Sequence, residues 1–139
     1  MKRLILLLTT ISALAACSPD PGQPLVASDI RVTAPRMAGG MSAGYFTLRN
    51  HTDATIEITR VTSPQFGRVE IHETRTEDGV SRMRPVDALT VPPGGEVRLE
   101  PGGKHLMLMQ PEGPANVVTL ELWSGNTLQM TLDTRVGAD

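Results

Sequence analysis

The chain of 139 residues has 40% hydrophobic residues, enough for the core of one domain, and it carries 13 Lys+Arg against 15 Asp+Glu. The net charge of −2, without a basic stripe, and the four aromatic residues argue against nucleic acid as a partner. Its single cysteine excludes an internal disulfide, a Cys-x-x-Cys redox pair and a Cys-rich zinc site.

Residues 1–16 have the pattern of a secretory signal peptide. Two basic residues open the chain, and the apolar run from Leu4 to Leu14 is short for a membrane-spanning helix. The segment Leu14-Ala15-Ala16-Cys17 resembles the bacterial lipobox, which implies lipidation of the Cys17 sulfur and cleavage just before it. The alternative is an ordinary signal peptide with a free thiol at Cys17. A lipid anchor predicts a bacterial cell-envelope protein that faces the periplasm and is held at a membrane.

A tether is predicted for residues 17–26. Ser18 to Pro24 is rich in Pro and Gly, which extend the chain and block regular structure. The folded domain is therefore predicted over residues 27–139. Removal of residues 1–16 leaves 11 Lys+Arg against 15 Asp+Glu, which makes this domain mildly acidic.

Short runs of β-branched and apolar residues, separated by Pro, Gly, Asn and Asp clusters, fill the predicted domain. No amphipathic helix pattern interrupts them. Nine strands are predicted, at Asp29–Ala34, Gly44–Arg49, Thr55–Thr62, Arg68–Thr76, Val80–Pro85, Glu96–Glu100, His105–Met109, Asn116–Leu122 and Thr127–Asp133. The pattern indicates an all-β sandwich or barrel of about eight to nine short strands.

A hairpin in the middle of the chain brings two potential metal ligands together. Asp78-Gly79 predicts a two-residue turn, and the resulting antiparallel register pairs Thr74 with Met83. The same register places His72 opposite Pro85. Because alternate residues share a face, His72 and Met83 become diagonal neighbours on one side of the sheet.

A second pair of potential ligands follows within one predicted strand. In His105-Leu106-Met107, the two-residue period of a strand places His105 and Met107 on the same face and turns Leu106 towards the core. Imidazole and thioether ligands together favour Cu(I) over hard ions, and they are unusual for structural zinc. A blue-copper electron carrier needs a Cys thiolate as a copper ligand. The only cysteine lies in the lipobox-like segment, so the sequence argues against this class of protein.

The resulting pattern, H-x10-M-x21-H-x-M, resembles the signature of the PCu(A)C family of periplasmic copper chaperones. The resemblance extends over Ala43–Asn50, Val69–Glu73 and Pro101–Met109. It implies a cupredoxin-like β-sandwich that binds one Cu(I). The four family ligands correspond to His72, Met83, His105 and Met107.

The resemblance also implies a function without catalysis. The expected role is a chaperone that delivers Cu(I) to the binuclear copper site of a respiratory haem-copper oxidase. The expected partners are the copper subunit of that oxidase and, as a collaborator, a Sco-type thiol protein. A copper-buffering envelope lipoprotein without a dedicated client is the alternative, because storage and delivery use the same ligands. A structural or adhesive sandwich with an incidental His/Met cluster is a third hypothesis.

Other chemically interesting residues have simpler interpretations. Met109 continues the alternation after Met107 and is interpreted as a core residue or as a neighbour of the site. Met37 and Met41 are interpreted as apolar loop residues, with an extended copper-handling surface as the alternative. His51 is interpreted as a solvated loop residue.

One motif suggests an enzyme that the rest of the chain does not support. Gly40-Met41-Ser42-Ala43-Gly44 satisfies G-x-S-x-G, the nucleophile elbow of α/β-hydrolases. That elbow requires a strand before it and a helix after it. A loop precedes this segment and a predicted strand follows it, so we expect no hydrolase activity.

Overall fold

The computed structural model describes residues 22–35, 37 and 39–137, which form eleven strands. They are β1 (Leu25–Thr33), β2 (Ser42–Asn50), β3 (Ile56–Ile58), β4 (Arg60–Thr62), β5 (Phe66–Glu77), β6 (Val80–Pro85), β7 (Leu89–Val91), β8 (Glu96–Leu99), β9 (Lys104–Pro111), β10 (Val117–Ser124) and β11 (Thr127–Gly137). The predicted signal peptide and Cys17 lie outside the described residues. Within those described, no helix is long and apolar enough to cross a membrane.

Nine strands form one sheet in the order β4-β10-β11-β1-β2-β9-β5-β6, with β8 also paired to β2. Strands β3 and β7 form a separate two-stranded sheet. Only the β1–β11 pair is parallel among these described pairings. Strand β2 pairs with β9 near its beginning and with β8 further along, so β9 and β8 lie on the same side of β2.

The all-β prediction is confirmed, with eleven strands where eight to nine were expected. One predicted strand, Thr55–Thr62, is divided at Thr59, whose N–H donates to the carbonyl of Trp123 at 2.9 Å. Strand β7 was not predicted, because three residues between turn-forming segments carry almost no periodic signal. At the N-terminus, the buried Leu25 begins β1, so the fold starts two residues before the predicted Ala27.

The core is built from alternate residues of the strands, those whose side chains point inward. Phe46 is its only fully buried aromatic side chain among the described residues, so aliphatic packing dominates. The members with no exposed surface include Leu48, Ile58, Leu89, Val91, Leu106, Leu108, Val118, Leu120 and Leu122. Burial of each such side chain contributes roughly 1.5–3 kcal/mol to stability.

The predicted hairpin register is confirmed. Asp78 and Gly79 both have positive φ, at 52° and 76°, as the two-residue turn of a twisted hairpin requires. Thr74 pairs with Met83, and the same ladder pairs His72 with Pro85. The local turn therefore sets which residues of β6 share a face with His72.

A buried side-chain amide joins the end of β2 to β7. The Asn50 Nδ2 group donates to the carbonyls of Ala54 at 2.7 Å and Val91 at 3.1 Å. Its Oδ1 atom accepts from the N–H and the hydroxyl of Thr52, at 2.9 and 2.8 Å. Asn50 has no exposed surface, so these bonds satisfy a polar group that would otherwise destabilise the core.

We expect Asn50→Asp to lower the free energy of unfolding by about 2–4 kcal/mol, measured by urea denaturation at neutral pH. The carboxylate cannot donate to the carbonyls of Ala54 and Val91, and it places a charge in the core. Gln129→Ala, on the exposed side of β11, is the control and should change stability by less than about 0.5 kcal/mol. Equal unfolding midpoints for the two variants would contradict this role of Asn50.

Candidate metal centre

Two histidines from different strands face each other on the outer side of the sheet. The β5–β9 register pairs His72 with His105, and the adjacent pair is Ile71 with Leu106. Because Ile71 and Leu106 are buried in the core, the two imidazoles project to the opposite face. Their ring centroids are 6.1 Å apart and the ring planes are inclined by 51°. A metal–imidazole bond is about 2 Å long, so this separation suits one ion held between the rings.

The hydrogen bonds of His72 leave one ring nitrogen free. His72 Nε2 lies 2.9 Å from a carboxylate oxygen of Glu70. Since that oxygen accepts, Nε2 carries the proton of a neutral imidazole and Nδ1 keeps a lone pair. Nδ1 is buried and has no hydrogen-bond partner among the described residues. Buried polar atoms are rarely left in this state, so His72 Nδ1 marks a position for a ligand.

His105 is oriented in the same way by the backbone. Its Nδ1 lies 3.0 Å from the carbonyl oxygen of Gly103, which only accepts hydrogen bonds. The proton of the neutral ring is therefore on Nδ1, and Nε2 has the free lone pair. With only 7% of its surface exposed, His105 is the most buried of the four predicted ligands.

Glu70 is a hydrogen-bond partner of a predicted ligand that the sequence did not reveal. The hydrogen bond from His72 and the adjacent guanidinium of Arg68 hold the pKa of the Glu70 carboxyl below its usual value, despite partial desolvation. Glu70 therefore stays ionised and keeps accepting from His72 Nε2. One sequence signal could have revealed Glu70. It is a carboxylate two residues before a candidate ligand, on the same face of a strand.

The two predicted thioether ligands lie on the same outer face. Met107 pairs across the ladder with Glu70, next to the His72–His105 pair. Met83 lies on the neighbouring strand β6, which forms the edge of the sheet, and pairs with Thr74 of β5. Met83 is 51% exposed, whereas Met107 is only partly exposed. The four side chains therefore form a shallow group that is most buried at His105 and most accessible at Met83.

The described residues form no cluster of carboxylate or thiolate ligands at this position. Among the described residues, no three His, Cys, Asp or Glu side chains converge on a possible ion position. The carboxylate closest to the histidines, Glu70, is already bonded to His72 and Arg68. The donor set available to an ion is thus two imidazoles and two thioethers, which suits a soft monovalent metal.

The structure places the remaining candidates away from this arrangement or at its margin. Met109 projects to the outer face and pairs with Arg68. Met37 and Met41 are exposed, at 73% and 59%. His51 is exposed in the turn after β2, as predicted.

The G-x-S-x-G segment has no feature of a catalytic elbow. Its first two residues precede β2 without forming a strand, and its last three lie in β2, so no helix follows the serine. Ser42 is only 4% exposed, and its hydroxyl has no hydrogen-bond partner in the part of the chain that the structure describes. A nucleophile needs an adjacent base, so Ser42 does not have the surroundings of one.

Comparison with known proteins gives a consistent family and fold. A family model described as "Putative lipoprotein LpqE-like" matches residues 25–137. The "Putative lipoprotein Lxx21020" of Leifsonia xyli subsp. xyli is 29% identical over 121 residues, covering 82% of this chain and 73% of that protein. The "Uncharacterized protein RP573" of Rickettsia prowazekii is 33% identical over 91 residues, 65% of this chain. The aligned region spans 46% of the Rickettsia protein, about half its length.

Among solved structures, the copper-bound PCuAC domain from PmoF2 superposes with a TM-score of 0.68 at 21% sequence identity. The superposition covers 84% of this chain and 94% of that domain. At this identity the likeness establishes the fold, which is the cupredoxin-like β-sandwich expected from the sequence. The family match covers the strands from β1 to β11. The chain therefore belongs to the LpqE-like family and has the fold of PCuAC domains.

Proposed function

We propose that this protein is a copper carrier that binds one Cu(I) through His72, Met83, His105 and Met107. The observation that carries the proposal is the buried Nδ1 of His72, which has no hydrogen-bond partner among the described residues and belongs to a ring that lies across the β5–β9 ladder from His105. Both rings are held by hydrogen bonds with one lone pair free, and thioethers occupy the same face. The fold likeness to a PCuAC domain that holds copper supports the same metal.

The donor set explains how a carrier functions in an oxidising compartment. Thioethers carry no titrating proton and do not form disulfides, so the ion binds without ionisation of a sulfur ligand. Methionine suffers only oxidation to the sulfoxide, which is reversible. A site built from His and Met therefore remains available where a thiolate site would be lost.

The gradient of exposure suggests the order of ligand exchange. Met83 lies half-exposed on the edge strand β6, so an acceptor ligand can replace its sulfur first. His105, at 7% exposure, is released last. Each step exchanges one neutral ligand of the carrier for a ligand of the acceptor and leaves the oxidation state of the ion unchanged. The activity is carriage, and no substrate is transformed.

We propose a location at the cell envelope, anchored through Cys17. The family model and the Leifsonia relative carry lipoprotein names, and the lipobox-like Leu14-Ala15-Ala16-Cys17 supports lipidation of this chain. Residues 18–24 then link the lipid to β1. The mature domain faces the periplasm in this arrangement.

The proposed client is the binuclear copper site of a respiratory haem-copper oxidase, reached through the copper subunit with a Sco-type thiol protein as collaborator. Support comes from the resemblance of the H-x10-M-x21-H-x-M pattern to that of periplasmic copper chaperones. A site that opens at an edge strand is accessible to a partner, as delivery requires. A protein that buffers copper without a client would use the same four ligands. Deletion of the gene distinguishes this function from delivery.

Anaerobic titration with Cu(I) against a chromophoric chelator tests the site. We expect wild type to bind one ion tightly and His72→Ala/Met107→Ala to lose on the order of 100-fold or more in affinity, because half of the ligands are removed. His51→Ala/Met130→Leu is the matched control, since it removes a histidine and a methionine outside the site and should bind as wild type does. Equal, weak binding by all three proteins would refute the copper proposal.

Glu70 provides a test of the hydrogen bond that orients His72. We expect Glu70→Leu to lower Cu(I) affinity about 10–100-fold, because the His72 ring loses the acceptor that holds its tautomer. Glu70→Gln retains an acceptor oxygen and should recover much of that loss. Glu57→Leu, on the exposed face of β3, controls for removal of one negative charge. Equal loss in Glu70→Leu and Glu57→Leu would show that charge alone is responsible.

Deletion of the gene separates delivery from buffering. For delivery, we expect the oxidase to lose copper and activity, with recovery on expression of wild type and none with His72→Ala/Met107→Ala. The measurement is copper content and turnover of the isolated oxidase. Sensitivity to added copper with a fully loaded oxidase would contradict delivery and support buffering.

A further inference from the structure

An open strand edge lies next to the proposed metal site. Strand β6 ends the strand order of the main sheet, and none of the described strands pairs with its outer side. All six residues of β6 are exposed, and one of them is the proposed ligand Met83. The open edge of a strand carries backbone donors and acceptors that can pair with a strand of another protein.

Two backbone hydrogen bonds of β5 show which groups of β6 point outwards. The N–H of Thr74 donates to the carbonyl of Gly103 at 3.0 Å, away from β6, whereas the carbonyl of Ile71 accepts from the N–H of Val86 on the β6 side. In an antiparallel ladder, the two residues of a pair turn their backbone groups either towards each other or both away. Thr74 turns away from its partner Met83, so the N–H and carbonyl of Met83 point away from β5.

The available edge is short. Ser81, two residues before Met83, turns its backbone in the same direction. Each of these two residues therefore presents an N–H and a carbonyl group to solvent. Pro85 has no N–H to donate, so the edge that another strand can use ends there. So few hydrogen bonds make a weak and reversible contact, which suits the transfer of an ion.

Two arginines flank Met83 in the chain and project to the other face of β6. They are Arg82 and Arg84, and neither forms an ion pair with the described residues. Glu77 lies on that face as well, beside the hairpin turn, but it is not bonded to either arginine. The face therefore has uncompensated guanidinium groups next to the open edge.

The partners of these arginines across the ladder leave them without a carboxylate. Arg84 pairs with Glu73, but that carboxylate already binds Arg75 at 2.7 Å and Lys104 at 3.1 Å. Arg82 pairs with Arg75, and like charges placed directly opposite each other are destabilising. Acidic side chains on a further strand beside β6 would compensate both charges. An apolar or basic strand would leave the charges uncompensated, so they select among partners.

We propose that β6 binds an extended segment of the copper acceptor as an added antiparallel strand, in which a methionine, histidine or cysteine lies between two acidic residues. This inference rests on the proposed function. Backbone hydrogen bonds to Ser81 and Met83 set the register of the added strand. The acceptor ligand then lies opposite Met83 on the same face, with Cβ atoms about 5 Å apart. Its acidic neighbours lie on the other face, beside Arg82 and Arg84.

This alignment brings the acceptor ligand to the most exposed of the four proposed ligands. A bond from copper to the incoming sulfur or nitrogen forms as the bond to the Met83 sulfur breaks, and the ion remains Cu(I). Methionine and neutral histidine bind without loss of a proton, whereas a cysteine releases its thiol proton to water.

Two capped peptides test the docking edge by NMR in the isotope-labelled, metal-free protein. They are Thr-Glu-Met-Glu-Thr and the charge-reversed Thr-Lys-Met-Lys-Thr. We expect the first peptide to shift the amide signals of Ser81 and Met83 and to slow their hydrogen exchange, and the second to bind about tenfold more weakly. Strand β4, at the opposite edge of the sheet, is the internal control and should not respond. Unchanged Ser81 and Met83 amides, or equal binding of both peptides, would overturn the proposal.

Proline at position 81 removes one outward N–H from the edge. Because this N–H faces solvent in the free protein, Ser81→Pro leaves the β5–β6 ladder intact. We expect it to weaken binding of the Glu-containing peptide about two- to tenfold and to leave Cu(I) affinity unchanged. Ser81→Ala is the control, since it removes only the hydroxyl that bonds to Thr76, and it should bind the peptide as wild type does. Wild-type peptide affinity in Ser81→Pro would contradict strand addition.

Reversal of the flanking charges tests the same edge without a change in its backbone. We expect Arg82→Glu/Arg84→Glu to prefer the Lys-containing peptide and to bind the Glu-containing one about tenfold more weakly than wild type does. A retained preference for the Glu-containing peptide would show that these arginines do not select the partner.

The metal-free readout distinguishes failure of this inference from failure of the proposed function. Tight Cu(I) binding without any peptide response at β6 would overturn the added strand alone. A peptide response at β6 in a protein that binds Cu(I) no better than His72→Ala/Met107→Ala would overturn the copper site, and β6 would remain a docking edge for an acidic strand.

Discussion

The antiparallel register between β5 and β9 is the constraint on which the site depends. It pairs Ile71 with Leu106 inside the core and His72 with His105 on the outer face. Because side chains alternate with a period of two, a slip of one residue in either strand would turn its apolar residue to the outer face and its histidine into the core. The burial of Ile71 and Leu106 therefore stabilises the fold and at the same time positions both histidines.

The same alternation gives neighbouring residues of one strand different roles. On β9, Leu106 and Leu108 pack in the core while His105, Met107 and Met109 face outwards. On the outer face, the buried Nδ1 of His72 has no hydrogen-bond partner among the described residues, which lowers the stability of the fold. The core offsets that cost through its fully buried aliphatic side chains. Local rules of polar satisfaction are commonly broken at functional sites, which agrees with the proposed role of His72.

Prediction from the sequence succeeded where local signals are strong. The Asp78-Gly79 turn predicted the register of the β5–β6 hairpin, and alternation predicted the outward faces of β5 and β9. It failed for β7, whose three residues are organised by pairing with β3 and by the amide of Asn50. It also missed Glu70, because a carboxylate on a solvated strand is common and its bond to His72 is a feature of the folded state.

The sequence by itself determined the all-β class, the hairpin register and the identity of the four proposed ligands, because each follows from a turn dipeptide, a two-residue period or a fixed spacing. Only the tertiary structure decided that His105 lies opposite His72, which ring nitrogens are free, and how exposure rises from His105 to Met83. Residues 72 and 105 are distant in the chain, and the packing of the whole core selects their pairing.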